Sequence, residues 1–566
     1  MDDFTWTPLP LLTSYLEKWA EETPDVIAML QHETGVEVTY KQFLENVELY
    51  ALRLLDLGIR KGDRVATMLL TTAEHYYLMY ACFLMGAIVA PIDIRLKEAE
   101  VVQDLAKIEP SIFFFLGNTP MRDFREVGRA VKAGCPYVKH LVQVSLIPGE
   151  EVDEDFIGFQ DLMERNALVA LRQGSAAGLL EEARDSASTL DGTIIIFTTG
   201  TTGPPKPALL SHRCIIAQNE ILSRLFGSSY TELRTLCNLP PSHVAGTSEL
   251  AFTTFYKGGT LVLLRLFNPE MTLEAIQKRR VTALGMIPTQ FRMVWALPNY
   301  KDYDLSSLEG VFYAGAPGDL PFLKQLYTMA PIVGTGIGMT ENAGFATATP
   351  HGIPAEEMAG QVGRAFPDVA DVTIRKPMNE DGTAGEELPD GEVGEICYHP
   401  PLVFIGYFGQ PEETAKAVSK EGILYTGDMG YFKNMGTYRA LYLAGRRKFM
   451  IKQKGYNVFP DEVQSHIMDH PKVALAEVVG VPHRMFDEGI FAFVQPKPGQ
   501  TLTPEEIMAH CQSIASYKRP QHVEIWPADQ MFLLTRMGKI DKPQMRKLAL
   551  SRIEELRQAG GWDAQK

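Results

Sequence analysis

The chain has 566 residues, of which 45% are hydrophobic and 22% charged, and its formal net charge is −16. This length exceeds what one hydrophobic core supports, so two or more domains are expected, and the composition excludes a largely disordered chain. The acidic balance argues against nucleic acid or an anionic membrane surface as a partner, because such binding relies on basic patches.

Apolar strands alternate with helical segments along most of the chain. A strand at 64–70, a helix at 73–86 and a strand at 87–93 come first, and further apolar strings follow at 111–117, 140–146, 192–198 and 259–264. Such strings predict parallel or mixed sheets covered by helices on both faces. The uncharged segment 76–92 is interrupted by Gly86 and Pro91 and is short for a membrane span, which favours a buried helix followed by a buried strand.

The N-terminus and the cysteines bear on location. The first ten residues are acidic and show no export signal, and the six cysteines are scattered without a CxxC pair. We therefore predict a soluble, cytoplasmic protein with reduced thiols.

Two changes in composition divide the chain. Segment 376–395 is rich in Gly, Asp and Glu and predicts a β-hairpin with exposed turns, whereas segment 442–463 is rich in basic residues. We place the domain boundary at Gly445. The predicted α/β fold has a large N-terminal domain of mixed β-sheets covered by helices (1–444) and a small, mobile α+β C-terminal domain of lid size (445–566).

Segment 198–206, TTGTTGPPK, directly follows one of the apolar strings. Its glycines allow close approach of the backbone to a ligand, its hydroxyls and amides can surround an anion, and Lys206 adds positive charge. A Walker-type loop is excluded, because two prolines separate Gly203 from Lys206 and prevent a helix from beginning at the lysine. Taken alone, the segment fits a phosphate site and a ligand-free surface turn equally well.

Together with later segments, this loop resembles the signature of the adenylate-forming superfamily, which includes acyl-CoA synthetases, peptide-synthetase adenylation domains and beetle luciferases. The loop follows the family pattern position by position, with His212 at the family's histidine and Pro207 where the family has glycine. The other matching segments, in order, are FYAGAPG (312–318), GTGIGMTEN (334–342), LYTGDMGY (424–431), GRRKFMIKQKGYNVFPDEV (445–463) and LTRMGKIDK (534–542).

The resemblance implies a site for ATP and AMP. The residues assigned to it are Thr198, Thr199, Gly200, Thr201, Thr202, Gly203, Lys206, Gly315, Ala316, Pro317, Gly338, Met339, Asp428 and Arg446. By the same resemblance Thr340 would bond the α-phosphate and Glu341 would hold Mg²⁺, since a carboxylate beside a phosphate needs a metal between them. Asp428 would accept the two ribose hydroxyls. Read alone, Thr340 is equally a helix cap, and Asp428 is more often a turn residue.

The resemblance also assigns the remaining roles. Lys539 is the candidate catalytic lysine and Lys448 the hinge of the domain rotation. The face toward coenzyme A would contain Lys452, Lys454 and Gly455, and the acyl pocket His243, Val244 and Gly246. From the residues alone, a solvated basic stretch is preferred for Arg447 and Lys454, and His243 is equally a structural histidine.

The implied function is an AMP-forming acid–thiol ligase. A small carboxylic acid, fatty or aromatic, would attack ATP to give an acyl-adenylate, and coenzyme A would then take the acyl group and release AMP. An enzyme that delivers the acyl group to a carrier protein or another acceptor is the first alternative. The second is a catalytically silent nucleotide-binding relative, which Pro207 and the aliphatic Ile337 at an aromatic position keep open. The sequence is compatible with a monomer and with a homodimer.

Overall fold

The computed structural model describes residues 6–147, 149–198, 204–226, 232–316, 318–454, 456–534, 540–558 and 560–563. The strands, in chain order, are β1 Ile27–Gln31, β2 Glu37–Thr39, β3 Arg64–Met68, β4 Ile88–Pro91, β5 Ile112–Leu116, β6 His140–Val144, β7 Ile157–Gly158, β8 Gly192–Phe197, β9 Pro207–Ser211, β10 Arg234–Cys237, β11 Thr260–Leu263, β12 Ala283–Met286, β13 Gly310–Tyr313, β14 Ile332–Thr335, β15 Gly338–Met339, β16 Gly344–Phe345, β17 Val372–Arg375, β18 Gly394–Tyr398, β19 Gly406–Tyr407, β20 Leu424–Asn434, β21 Arg439–Arg446, β22 Ile451–Gln453, β23 Tyr456–Val458, β24 Val473–His483, β25 Asp487–Pro496 and β26 His522–Ile525.

Helices cover the faces of these strands. The α-helices are α1 Leu12–Glu22, α2 Tyr40–Asp56, α3 Ala73–Met85, α4 Glu98–Ile108, α5 Arg125–Gly134, α6 Phe159–Leu162, α7 Arg165–Leu171, α8 Ser175–Asp185, α9 His212–Phe226, α10 Thr253–Tyr256, α11 Pro269–Arg279, α12 Pro288–Trp295, α13 Leu320–Leu326, α14 Ala355–Met358, α15 Pro411–Ala415, α16 Pro460–Met468, α17 Pro504–His510 and α18 Lys542–Gln558. A π-helix spans Ala245–Phe252, and short 3-10 turns span Tyr300–Asp302, Thr340–Asn342, Arg447–Phe449, Cys511–Ser513 and Ser516–Lys518.

Two large sheets build the N-terminal part. Among the described residues, one has seven strands in the order β14-β13-β12-β10-β11-β1-β2 and the other eight in the order β19-β9-β8-β4-β3-β5-β6-β7. The first is parallel except where β2 pairs with β1, and the second is parallel except at β9, which pairs antiparallel with β8 and β19. These are the mixed, helix-covered sheets that the apolar strings predict.

The uncharged segment 76–92 is a buried helix followed by a buried strand, as expected. Every side chain of α3 except Glu74 is buried. The helix ends at Gly86, whose φ of 70° is left-handed and suits a glycine at this position. The residues described contain no helix that is both long and apolar enough to cross a membrane.

Smaller sheets follow. Strands β17, β18, β20 and β21 form an antiparallel sheet, and the link between β17 and β18 contains the exposed turns predicted at 376–395. The last sheet, in the described residues, has the order β23-β22-β25-β24 with β26 beside β25. One face of it packs with α16 and α17, and the other packs with α18, around Phe491 and Trp526. The predicted small α+β unit is therefore present.

The sheet membership changes at the predicted boundary. Strand β21 ends at Arg446 within the antiparallel sheet, the 3-10 turn Arg447–Phe449 follows, and β22 begins at Ile451 in the last sheet. The limits 1–444 and 445–566 stay a prediction.

Candidate functional site

The predicted phosphate loop connects β8 and β9, which pair antiparallel as far as Phe197 and Pro207. The Thr198 amide donates to the Lys206 carbonyl over 2.9 Å, and the Lys206 amide donates to Oγ1 of Thr198 over 3.2 Å. Pro207 is the first residue of β9, a place where a strand accepts proline. These contacts fix both ends of the loop. Its other predicted residues, Thr199, Gly200, Thr201, Thr202 and Gly203, lie outside the described part of the chain.

The ammonium group of Lys206 has two neighbours that the sequence did not predict. Its Nζ lies 2.6 Å from Oε2 of Glu413 on α15 and 4.8 Å from the ring centre of Tyr407 on β19. Strand β19 pairs with β9, which brings Tyr407 and Glu413 to the base of the loop. Lys206 is therefore held by a carboxylate and an aromatic face.

Tyr407 also contacts Glu341, through its hydroxyl group. The Tyr407 hydroxyl donates to Oε1 of Glu341 over 2.6 Å, and the Phe404 amide donates to the Glu341 carbonyl over 2.9 Å. Glu341 is 7% exposed. Burial raises the pKa of Glu341, and the hydrogen bond from Tyr407 and the charges of Arg446 and Lys206 offset this only in part. The carboxylate is oriented by the protein before any ligand binds.

The turn that carries Glu341 is a 3-10 turn between β15 and β16. Thr340 is its first residue, and the preceding Met339 stands at the cap position, where its amide donates to Oδ1 of Asn342 over 2.7 Å. The interpretation of Thr340 as a helix cap is therefore wrong. Nothing in this geometry opposes the α-phosphate role, which stays a prediction.

Close backbone packing requires a glycine at position 338. A Cβ at this position would overlap the carbonyl oxygen of Gly344, because β15 and β16 approach closely. The neighbouring Ile337 is 8% exposed and packs in the main core, so little of its side chain is free to cover a purine.

Two residues of the predicted ATP and AMP site, Gly315 and Ala316, follow a strand of the seven-stranded sheet. Gly315 and Ala316 come directly after β13 and are exposed, and β14, which leads to Gly338, is the neighbouring parallel strand. Carboxyl ends of parallel strands form the edge at which ligands bind in open α/β sheets. Pro317 lies outside the described residues.

Asp428 and Arg446 form a pair across two strands. They are opposite each other in the β20–β21 register, and Nε of Arg446 lies 2.7 Å from Oδ1 of Asp428, which is 7% exposed. Asp428 lies inside β20, so the interpretation as a turn residue is wrong. Lys448 follows in the 3-10 turn, where burial and the charge of Arg446 lower its pKa while Asp428 raises it.

The side chain of Arg447 is 52% exposed, which agrees with a solvated basic residue, and it also forms an ion pair that the sequence did not predict. Its NH1 lies 2.8 Å from Oε2 of Glu395, which is only 2% exposed and also accepts the Gly427 amide over 2.8 Å. Burial raises the pKa of Glu395, and the charge of Arg447 opposes that shift. Arg447 therefore compensates a buried carboxylate beside the Asp428–Arg446 pair.

The predicted coenzyme A face is only partly described. Lys452 is exposed and its amide donates to Oε2 of Glu488 over 3.0 Å. Lys454 is exposed with a positive φ of 53°, and its Nζ lies 4.2 Å from the ring centre of Phe486. Gly455 lies outside the described residues.

Lys539 belongs to segment 535–539, which also lies outside the described residues; the segment is bracketed by a β-bridge between Leu534 and Ile540. Three residues further on, Lys542 contacts Asp461 at 2.9 Å, Gln464 at 3.0 Å and Glu477 at 3.2 Å. Burial raises the pKa of Glu477 to about 7, although Lys542 lowers it. Burial lowers the pKa of Lys542, but the charges of Glu477 and Asp461 outweigh it and leave that pKa raised.

The predicted acyl segment begins the π-helix, a form that is frequent at functional sites. The ring Nδ1 of His243 accepts the Ala245 amide over 3.1 Å, and Val244 is buried. A Cβ at Gly246 would overlap the carbonyl oxygens of Leu239 and Pro240. Close backbone packing, rather than space for an acyl group, therefore explains this glycine.

Two family models match this chain. A family model described as AMP-binding enzyme matches residues 16–408, more than half of the chain, and one described as AMP-binding enzyme C-terminal domain matches residues 462–539. The chain belongs to the AMP-binding enzyme family. The family resemblance and the fold predicted from the motifs are confirmed.

Similar proteins align with this AMP-binding enzyme over nearly its whole length. The human protein named medium-chain acyl-CoA ligase ACSF2, mitochondrial, is 29% identical and covers 94% of this chain and 86% of its own. The feruloyl-CoA synthase of Amycolatopsis sp is 28% identical and covers 91% of this chain and 94% of its own. The solved amide bond synthetase McbA from Marinactinospora thermotolerans is 26% identical, with a TM-score of 0.76, and covers 95% and 99% of the two chains.

The structure of this AMP-binding enzyme brings Lys206, Glu341, Asp428 and Arg446 into one region. It adds residues that motif reading missed: Tyr407, Glu413, Glu395 and the paired Arg447. Their partners are remote in sequence, so no local pattern marks them. The available signal was the composition of segment 404–413, which contains three aromatic residues and ends in two adjacent glutamates.

Proposed function

We propose that this AMP-binding enzyme is an AMP-forming acid–CoA ligase, which activates a small carboxylic acid with ATP and transfers the acyl group to coenzyme A. The observation that carries the proposal is the chain of contacts from Lys206 through Tyr407 to Glu341, within the electrostatic reach of Arg446 and its partner Asp428. The cation Lys206 suits a triphosphate, and the oriented, buried carboxylate of Glu341 suits a metal ion. The Asp428–Arg446 pair suits a ribose. The names of the relatives support a ligase that forms acyl-CoA.

The nucleotide would lie along the carboxyl edge of the seven-stranded sheet. The exposed backbone at Gly315 and Ala316 would contact adenine, and Asp428 would accept the ribose hydroxyls. Arg446 would exchange part of its contact with Asp428 for the ribose or a phosphate. Thr198 and Lys206 would bind the terminal phosphates together with the rest of the loop.

A magnesium ion fits the residues present. Over the part of the chain that the structure describes, no group of three or more His, Cys, Asp or Glu side chains could hold a metal ion. A single carboxylate, Glu341, matches the way proteins hold Mg²⁺, with one or two carboxylates and the substrate phosphates. The ion, when bound, would neutralise phosphate charge. The hydroxyl of Tyr407 engages Oε1 and would present Oε2 of Glu341 to the ion.

The first step joins two anions, so the protein has to neutralise and orient them. Thr340 would donate its hydroxyl to the α-phosphate, and Lys539 would lie over the charge that develops there. The substrate carboxylate then attacks the α-phosphorus and pyrophosphate leaves. This is catalysis by positioning and electrostatics rather than through a covalent enzyme intermediate.

The second step requires Lys539 to withdraw and a thiol to approach. Rotation about Lys448 would achieve this. Segment 447–450 joins β21, in the antiparallel sheet, to β22, in the last sheet of the C-terminal unit. The same rotation would bring Lys452, Lys454 and Gly455 toward coenzyme A. The thiolate would attack the acyl carbon of the adenylate and release AMP.

Pyrophosphate exchange tests the proposed function. The purified enzyme is incubated with ATP, Mg²⁺, labelled pyrophosphate and a panel of medium-chain fatty acids and feruloyl-type aromatic acids, the classes that the relatives' names suggest. We expect acid-dependent incorporation of label into ATP for one class. Absence of incorporation with every acid, from enzyme that is folded, would contradict the proposal.

Lys539→Ala tests the division of labour between the two steps. We expect adenylation to fall roughly 100-fold, since the variant loses a cation at the developing charge, while thiolysis of supplied acyl-AMP stays largely intact. Lys547→Ala, which changes an exposed lysine of α18, serves as the matched control. Equal loss of both half-reactions in Lys539→Ala would contradict the assignment.

A second acceptor is favoured by one observation. The structure of McbA, an amide bond synthetase, is similar over 95% of the chain. An amine could therefore replace the thiol in the second step. Product analysis with coenzyme A, with simple amines and with neither separates the two, and we expect thioester with coenzyme A.

We propose a cytoplasmic location. All six cysteines are free and buried, which suits a reducing compartment. The word mitochondrial in the name of the human relative supports the alternative of a mitochondrial location. Fractionation of the native host would separate the two.

A further inference from the structure

Glu413 engages the lysine that the proposed function gives to the triphosphate. Its Oε2 lies 2.6 Å from Nζ of Lys206, and its Oε1 accepts a hydrogen bond from Nζ of Lys416. These hydrogen bonds lower the pKa of Glu413 to about 2. Glu413 is therefore a carboxylate anion at any working pH, and it competes for the same cation as a terminal phosphate.

The pair is built so that it can open. The side chains of Lys206 and Glu413 are 38% and 33% exposed, so water and ligands reach both. If Lys206 leaves, Glu413 keeps Lys416 as its partner, and no charge is left uncompensated. An exposed ion pair of this kind is worth little by itself, which makes an exchange of partners inexpensive.

Tyr407 contacts both Lys206 and the carboxylate proposed for Mg²⁺. Its ring lies 4.8 Å from Nζ of Lys206, while its hydroxyl donates to Glu341. Among the ion pairs of the described residues, Nζ of Lys206 is paired with Glu413 and not with Glu341. Glu413 is therefore the carboxylate that holds Lys206 before ATP binds.

We propose that Glu413 is a positioning residue that holds Lys206 in the nucleotide-free enzyme and yields it to the β- and γ-phosphates of ATP. This inference rests on the proposed function, since it needs Lys206 to bind phosphate. When pyrophosphate leaves, Glu413 takes Lys206 back and so opposes rebinding of the product. AMP has no β- or γ-phosphate and is not affected by the exchange.

The test compares Glu413→Gln with Glu412→Gln, a change of the exposed neighbouring glutamate. Affinities for a non-hydrolysable ATP analogue, for pyrophosphate and for AMP are measured by calorimetry on the full-length enzyme. We expect Glu413→Gln to bind the ATP analogue and pyrophosphate about fivefold more tightly, because an anion that competes for Lys206 is removed. We expect AMP affinity to stay unchanged, and Glu412→Gln to bind all three ligands as the wild type does.

Lys206→Met completes the cycle. This variant should bind the ATP analogue more weakly than the wild type, and adding Glu413→Gln to it should have no further effect. The inference is overturned if Lys206→Met weakens ATP binding while Glu413→Gln leaves it unchanged, or if Glu413→Gln alters AMP and ATP binding equally. If Lys206→Met binds the ATP analogue normally, the proposed phosphate role of Lys206 fails, and the inference fails with it. Thermal unfolding of each variant confirms that it is folded.

Discussion

Two lysine–carboxylate clusters of this enzyme are chemically alike and differ in burial. In the N-terminal part, the side chains of Lys206 and Glu413 are both about one-third exposed. In the small C-terminal unit, Lys542 is 22% exposed and its partner Glu477 only 1%. The first cluster lies at the base of the candidate phosphate loop, and the second joins the start of α18 to α16 and β24.

The difference in burial decides what each pair can do. An exposed ion pair contributes roughly 0–1 kcal/mol, so a ligand can replace one partner at small cost. A buried pair cannot lose one partner without leaving a charge in a poorly solvated place, which costs about 3–5 kcal/mol. The Lys206 cluster is therefore suited to exchange, whereas the Lys542 cluster is suited to permanent structure.

Lys542→Met is the strongest test of whether the buried pair is structural. We expect the free energy of unfolding of the C-terminal unit to fall by up to about 3 kcal/mol at pH 9 and by much less at pH 6, because Glu477 loses its cation while it stays buried and is ionised only above its pKa of about 7. Hydrogen exchange of the β24 amides in the full-length enzyme measures this, with Lys547→Met as the exposed control. Adding Glu477→Gln to Lys542→Met should restore part of the loss. A drop no larger than that of the control would show that the pair is not structural.

The pH dependence of Glu477 sharpens the same contrast. Its pKa is about 7 in the folded state, above the ordinary 4.5 of an unfolded glutamate. Between these values the folded state retains a proton that the unfolded state has lost, so stability falls as the pH rises from about 4.5 to 7. The contribution amounts to at most about 3 kcal/mol. Protection of the β24 amides at pH 5 and pH 8, corrected for intrinsic exchange, should differ less in Glu477→Gln than in the wild type; equal differences would contradict the prediction.

Tyr407→Phe probes the exchangeable cluster with a smaller effect. The change keeps the ring beside Lys206 and removes the hydrogen bond to Glu341. Loss of a hydrogen bond to a charged group costs about 1.5 kcal/mol, so we expect adenylation to slow roughly tenfold. Single-turnover pyrophosphate release measures the rate, and Tyr431→Phe, whose ring stacks on Tyr442, is the control. A wild-type rate in Tyr407→Phe would mean that Glu341 needs no orientation by this hydroxyl.

The sequence predicted the large elements because their signal is local. Strands such as β5 and β8 are apolar strings, and α3 is a long apolar segment with a single acidic residue that ends before a glycine. Strands β15, β16 and β19 have only two residues each and are defined by pairing: β15 with β16, and β19 with the remote β9. No periodicity can indicate a strand that short.

The candidate site was predicted as a set of residues, without their partners. Ordered motifs pointed to Lys206, Glu341 and Asp428, but Glu413 is 207 positions away from Lys206 and Tyr407 is 66 away from Glu341. The ion pair of Arg447 was not foreseen for the same reason: its neighbours in sequence are basic, whereas Glu395, which it neutralises, is buried on a strand of another segment. Local composition reports the surroundings along the chain and not those in space.

Gly338 carries a lesson about how motif positions are interpreted. Even a methyl group there would occupy the volume of the Gly344 carbonyl oxygen, whatever nucleotide is or is not present. A genetic screen that scores only soluble expression, and is blind to catalysis, should therefore reject every replacement at this codon. Intolerance inside a nucleotide motif can thus reflect architecture alone, and only a matched screen for folding separates it from ligand contact.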